Sequence, residues 1–100
     1  MSEREYPTDE ELQRIREWPL NDPTGWLEFC RSIWWAADWG WPSLFGEVST
    51  GGWSGNEDII AAMQDAHFGL LWGQVWTTTR RGGHYTFVDP SSTQIAEETR

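Results

Sequence analysis

Nine tryptophans in a chain of 100 residues constrain its fold more than any other feature. Each Phe, Tyr or Trp brings on the order of 150 to 250 Å² of surface to bury. The 15% aromatic content therefore provides a core where the overall hydrophobic share of 38% is modest. Disorder throughout is excluded on that ground. A second independent core is excluded by length, because a chain of this size buries somewhat under roughly 70% of its unfolded surface and sits at the usual size of one domain.

Sixteen Asp and Glu stand against seven Arg and no Lys, giving a formal charge of −9 and a pI near 4.4. Phosphate backbones attract clustered Lys and Arg, so direct nucleic-acid binding is not expected. Within residues 8 to 88 the count is 11 carboxylates against five arginines, a moderate charge that serves solubility. Cys30 has no second cysteine to pair with, and Met1 to Tyr6 carries no apolar stretch. The longest apolar runs fall far short of the 18 or more residues of a spanning helix. These features predict a cytoplasmic protein with no membrane partner.

Residues 1–7 read as a loose arm and 89–100 (DPSSTQIAEETR) as a frayed tail, which leaves a single domain over 8–88. Thr8 with Glu11 matches a capping box and opens a helix over 9–17 that Pro19 stops. Asp22 and Pro23 open a second helix over 23–36, with Trp26, Phe29, Cys30, Ile33, Trp34 and Ala37 at helical spacing. Two short strands are expected within Trp39 to Trp41 and Phe45 to Thr50. Ser54 with Glu57 makes another capping box, with Asn56 as a competing cap, and starts a third helix near 55.

Residues 67–79 admit two readings. The third helix can continue through Leu70, Leu71 and Trp72, or end near Ala66. Gly69 and Gly73 each cost roughly 1 kcal/mol inside a helix, and Val75 to Thr79 is β-branched and aromatic. RRGG at 80–83 has the glycines of a hairpin turn. The expected arrangement is a hairpin with strands over about 69–79 and 84–88, completing an α+β domain with a mainly antiparallel sheet packed on helices.

The segments STGGWSGNE at 49–57 and RRGGHY at 80–85, with SIWW to DWGW at 32–41, resemble a family of short acidic, Trp-rich proteins of bacteria and their phages. The resemblance covers most of the folded unit. It implies a shared fold and no activity, ligand or catalytic residue.

Three groups of residues are candidates for binding. Gly51, Gly52 and Gly55 lead into a helix N-terminus beside Ser54 and Asn56, an anion-holding form that Glu57 and Asp58 oppose. Arg80, Arg81 and His84 are the clustered cationic side chains, suited to a carboxylate or phosphate of a ligand or to an internal ion pair. Among the indoles, the loop residues Trp39, Trp41 and Trp53 are expected to be exposed, and Trp26 and Trp34 buried. No nucleophile with a base, zinc set or carboxylate pair can be given complementary catalytic roles, so no enzyme, cofactor or metal is expected. The expected function is a small protein-binding or regulatory module that uses an aromatic patch with an acidic rim. The alternative is an acidic, possibly phage-borne inhibitor that mimics nucleic-acid charge in the basic cleft of an enzyme.

Overall fold

A computed structural model describes residues 6–90. Helix α1 (Asp9–Arg16) begins on the expected capping box: the Glu11 N–H donates to Thr8 Oγ1 (3.1 Å) and the Thr8 N–H to Glu11 Oε1 (2.9 Å). Helix α2 (Pro23–Ser32) begins where the Asp22 carboxylate accepts from the Gly25 N–H at 3.1 Å. It stops four residues short of the expected 36. Ala36 lies in the left-handed region (φ 60°), and the backbone of Trp35 bonds to Asn56 instead of to a next helical turn.

The strand expected over Trp39 to Trp41 is absent. The N–H groups of Trp39 and Gly40 both donate to the Ala36 carbonyl (3.0 and 2.9 Å), which makes this segment the short helix α3 (Ala37–Gly40). A short aromatic run does not itself distinguish helix from strand, and here local bonds decide. The second expected strand exists as β1 (Gly46–Ser49). Helix α4 (Ser54–Asp65) follows, with Trp53 at the cap position and no side-chain capping bond, so Ser54 is the first helical residue rather than the cap.

Neither reading of residues 67–79 holds over its whole length: the third helix ends at Asp65, near Ala66 as one reading had it, but the next residues form a separate short helix before the strand. A tight 3₁₀ segment (Ala66–Gly69) breaks the helix where His67, Phe68 and Gly69 all have positive φ (48°, 58° and 86°). Helix α5 (Leu70–Val75) then runs into β2 (Trp76–Arg80), so the strand expected from 69 begins only at 76. Gly73 is tolerated inside α5. The hairpin closes through Gly82 and Gly83, both at positive φ, into β3 (His84–Phe87).

The sheet is antiparallel with order β1-β3-β2, so the domain is α+β as expected. Val48, its register partner Tyr85, and Phe87 belong to the face turned to the helices. Glu47, opposite Thr86, and His84, opposite Ser49 and Arg80, belong to the outer face. Trp26, Trp34, Trp41, Ile59, Met63, Leu71 and Val75 fill the core, and Trp72 meets Tyr85 and Phe87 edge-on at 5.6 and 5.4 Å. Tyr6 meets Ser54 at one end of α1 and α4, and Arg16 pairs with Asp65 (3.4 Å) at the other. The two helices therefore run in the same direction, and their N-termini share one end of the molecule. No helix among the described residues is long and apolar enough to cross a membrane. Apart from residues 6–7 and 89–90, the expected arm and tail lie outside the described residues.

Candidate functional site

At that shared end three rings stand in a row. Tyr6 stacks on Trp53 with ring centres 5.9 Å apart and planes 24° from parallel, and Trp53 stacks on Trp35 at 4.5 Å and 19°. Trp53 is half-buried between its neighbours, while Tyr6 and Trp35 keep 54% and 40% of their surface exposed. Offset stacking of this kind contributes about 0.5 to 1.5 kcal/mol per pair beyond simple burial.

Trp35 is held in the row by Asn56, in the first turn of α4 and 2% exposed. Its Oδ1 accepts from the Trp35 N–H (2.9 Å), and its Nδ2 donates to the carbonyls of Trp35 (3.1 Å) and Thr50 (3.3 Å). One buried amide thus ties the chain after α2 to the loop before α4. The competing-cap role expected of Asn56 is replaced by this one. Ser54, exposed on the first turn of α4, bonds to the Tyr6 hydroxyl at 3.5 Å.

Around the corner, Trp39 is 67% exposed and lies against Gly51, where an added Cβ would stand 3.0 Å from the indole. It borders a shallow groove of about 420 Å³ on the outer face of the sheet, together with Pro42, Phe45, Glu47, Ser49 and His84. Arg80 does not offer its charge to this groove freely: its guanidinium is paired with Glu47 across the sheet. Arg81 is exposed in the hairpin turn and makes no ion pair with a described residue. Of the two roles open to these arginines, Arg80 takes the internal ion pair, while Arg81 remains exposed in the turn.

Trp41, expected at the surface, is fully buried. Its indole N–H donates to the Leu44 carbonyl (3.2 Å), and its ring meets Trp34 edge-on at 5.0 Å. Sequence reasoning found Trp53, Ser54 and Asn56, which the fold brings together, and missed Tyr6 and Trp35. Trp35 did carry a signal, since it falls outside the helical stripe of Trp26, Phe29, Cys30, Ile33 and Trp34. Tyr6 carried none, because its partners lie 47 or 48 residues away in sequence.

The described chain segments that carry the three rings are acidic in sequence. Segments 6–12, 33–39 and 50–58 hold Asp9, Glu10, Glu11, Asp38, Glu57 and Asp58 and no Arg, Lys or His. The two helix N-termini together supply only about one positive unit. The other described arginines are engaged elsewhere: Arg14 over Phe29 (4.7 Å), Arg16 with Asp65, and Arg31 donating to the Trp41 carbonyl (2.6 Å). A roomier hollow of about 570 Å³ beside Trp18 is occupied at its rim by that Arg14 stack and by the Trp18 indole bonded to Asp22 (3.1 Å).

Cys30 lies in the core, and burial pushes its thiol far above the ordinary range, so it is held as the neutral, unreactive form. Among the described residues no group of three His, Cys, Asp or Glu could hold a metal ion. Set against family models, curated proteins and solved structures, the chain finds a match in none of the three.

Proposed function

We propose that this domain is a small protein-binding module whose docking surface is the row Tyr6, Trp53 and Trp35, with Trp39 at its margin. The observation that supports this reading most is the combination of exposure and rigidity: a buried asparagine spends its hydrogen bonds on holding Trp35 at the surface. Rigid exposed aromatics are the residues that anchor interfaces, because they bring large contact area with little side-chain entropy to lose. The acidic rim gives the surface a preferred electrostatic sense. A charge mimic would need its carboxylates in line, whereas Asp9, Glu10 and Glu11 are successive helical residues turned about 100° from one another.

The test is quantitative capture from the source cell by the immobilised domain and by a Trp35→Ser, Tyr6→Ser variant shown to melt like the parent. A protein retained in constant ratio by the parent and lost by the variant supports the reading. Equal retention by both places the docking surface elsewhere.

A further inference from the structure

We propose that Phe68 of one copy of the chain enters the hollow beside Trp18 of a second copy, in a two-fold exchange that makes a weak homodimer. The contact uses residues apart from the aromatic row and does not rest on it.

The first ground is the presentation of Phe68. It is 100% exposed, and it stands with His67 on backbone of positive φ (58° and 48°), a region that bulky L side chains rarely adopt. Burial returns nothing to the monomer for holding a phenyl ring there. Two side chains fasten the surrounding chain: His67 Nε2 donates to the Trp18 carbonyl (2.7 Å), and Gln74 Nε2 of α5 donates to the Leu20 carbonyl (3.0 Å). Segments 18–20 and 67–74 are therefore tied into one patch, which also exposes Leu20 and Leu70. Apolar side chains gathered at the surface in this way mark interaction sites.

The same patch holds a receptor for the ring. Trp18 and Pro19 line the hollow of about 570 Å³, together with Gln13 and Arg14 of α1. Its volume is that of a small-ligand pocket, and the Trp18 indole and the Arg14 stem give a phenyl ring apolar wall. The Arg14 guanidinium already lies over two rings, Trp18 and Phe29 (5.4 and 4.7 Å), so an arriving aromatic extends a cation–π arrangement the protein uses. Glu10, Glu17 and Asp22 line the hollow as well, which disfavours an anionic occupant and leaves a neutral ring unopposed.

Symmetry selects a second copy as the occupant. A two-fold interface meets every contact twice, so both halves of the contact must belong to one patch. Here ring and hollow are neighbours through the His67 bond to Trp18, and one docking event seats both rings. The charge of −9 on each copy opposes the approach. It keeps the dimer weak, and added salt should strengthen it by screening.

The experiment is sedimentation velocity of the whole chain from roughly micromolar to millimolar concentration, at low and at physiological salt. The expected result is a monomer–dimer equilibrium that moves toward dimer as salt rises and is weakened at least about tenfold in Phe68→Asn. Asparagine accepts positive φ, so this variant should melt no lower than the parent at monomeric concentrations, which separates lost docking from lost folding. Trp35→Ser, Tyr6→Ser should dimerise like the parent. In a mixture of isotope-labelled and unlabelled copies, intermolecular NOEs should join the Phe68 ring to the Trp18 indole. A chain still monomeric at the highest concentration overturns the proposal, as does a dimer that Phe68→Asn leaves intact or one without the Phe68–Trp18 contact. Growth beyond a dimer overturns the two-fold exchange.

Discussion

Asn56 bonds to both backbone polar groups of Trp35, a residue 21 positions earlier in the chain, at 2.9 and 3.1 Å. The pairing resembles one rung of a sheet ladder made with a side chain. It explains why α2 ends at Ser32 and why an indole with 40% of its surface in water is nonetheless fixed. Asn56→Ala removes three bonds and leaves partly buried backbone groups unmet, each costing about 1 to 3 kcal/mol. Denaturant unfolding should register a loss of at least about 2 kcal/mol, with a changed near-ultraviolet dichroism from the disturbed indole row.

Trp26 and Trp34 are both buried but differ in their polar atom. The Trp26 indole N–H donates to the Ile15 carbonyl at 3.0 Å, whereas Trp34 Nε1 is buried with no hydrogen-bond partner. Phenylalanine at 26 breaks the shorter bond to a carbonyl that otherwise accepts a long one from the Trp18 N–H (3.5 Å); at 34 it removes an unmet donor. Unfolding midpoints should show Trp26→Phe to be the costlier by about 1 to 2 kcal/mol.

Two glycines should respond to alanine with opposite signs. An added Cβ at Gly83 would stand 2.2 Å from Thr50 Oγ1 on a backbone at φ 82°, while Gly73 lies inside α5 with nothing within 4 Å. Gly83→Ala should destabilise by more than about 1 kcal/mol, and Gly73→Ala should stabilise by about 0.5 to 1 kcal/mol. Thermal melts of the two variants beside the parent check both signs.

Cys30 links stability to pH. Its thiol is raised in the folded state by burial, so its contribution is complete below the unfolded value near about 8.5 and declines as pH rises beyond it, by about 1.4 kcal/mol per unit. Denaturant unfolding at neutral and alkaline pH should show a steeper alkaline loss for the parent than for Cys30→Ala. Equal slopes would place the thiol in contact with water.

Arg80 and Glu47 pair across the sheet with side chains 67% and 50% exposed. A double-mutant cycle on Arg80→Gln and Glu47→Gln should give a coupling of about 0.2 to 1 kcal/mol that shrinks in high salt.

The elements most legible in the sequence were those with a local chemical cause. Thr8, Asp22 and Pro23 set the starts of α1 and α2, and the glycines of RRGG set the hairpin. What could not be read was decided by partners distant in sequence. Trp39 to Trp41 looked like strand, but Gly40 packs so closely under the Ser49 carbonyl that an added Cβ would stand 2.6 Å from it, and the segment caps the sheet instead of joining it. The Gly- and Pro-rich stretch around Trp41 has the composition of a surface loop, yet it delivers a core ring that packs on Phe87 and Trp34. For the site, Trp53, Ser54 and Asn56 were found from one continuous segment. Trp35 and Tyr6 reach it only through the tertiary fold.

The central claim, that Trp35 and Trp53 form the docking surface, is tested most directly by following the nine tryptophan indole N–H resonances during titration with the protein that the immobilised domain captures from the source cell. The expected result is that the Trp35 and Trp53 signals move together and saturably, with Trp26, Trp34 and Trp41 unmoved. Movement confined to Trp18 or Trp76, with Trp35 and Trp53 still, would contradict it.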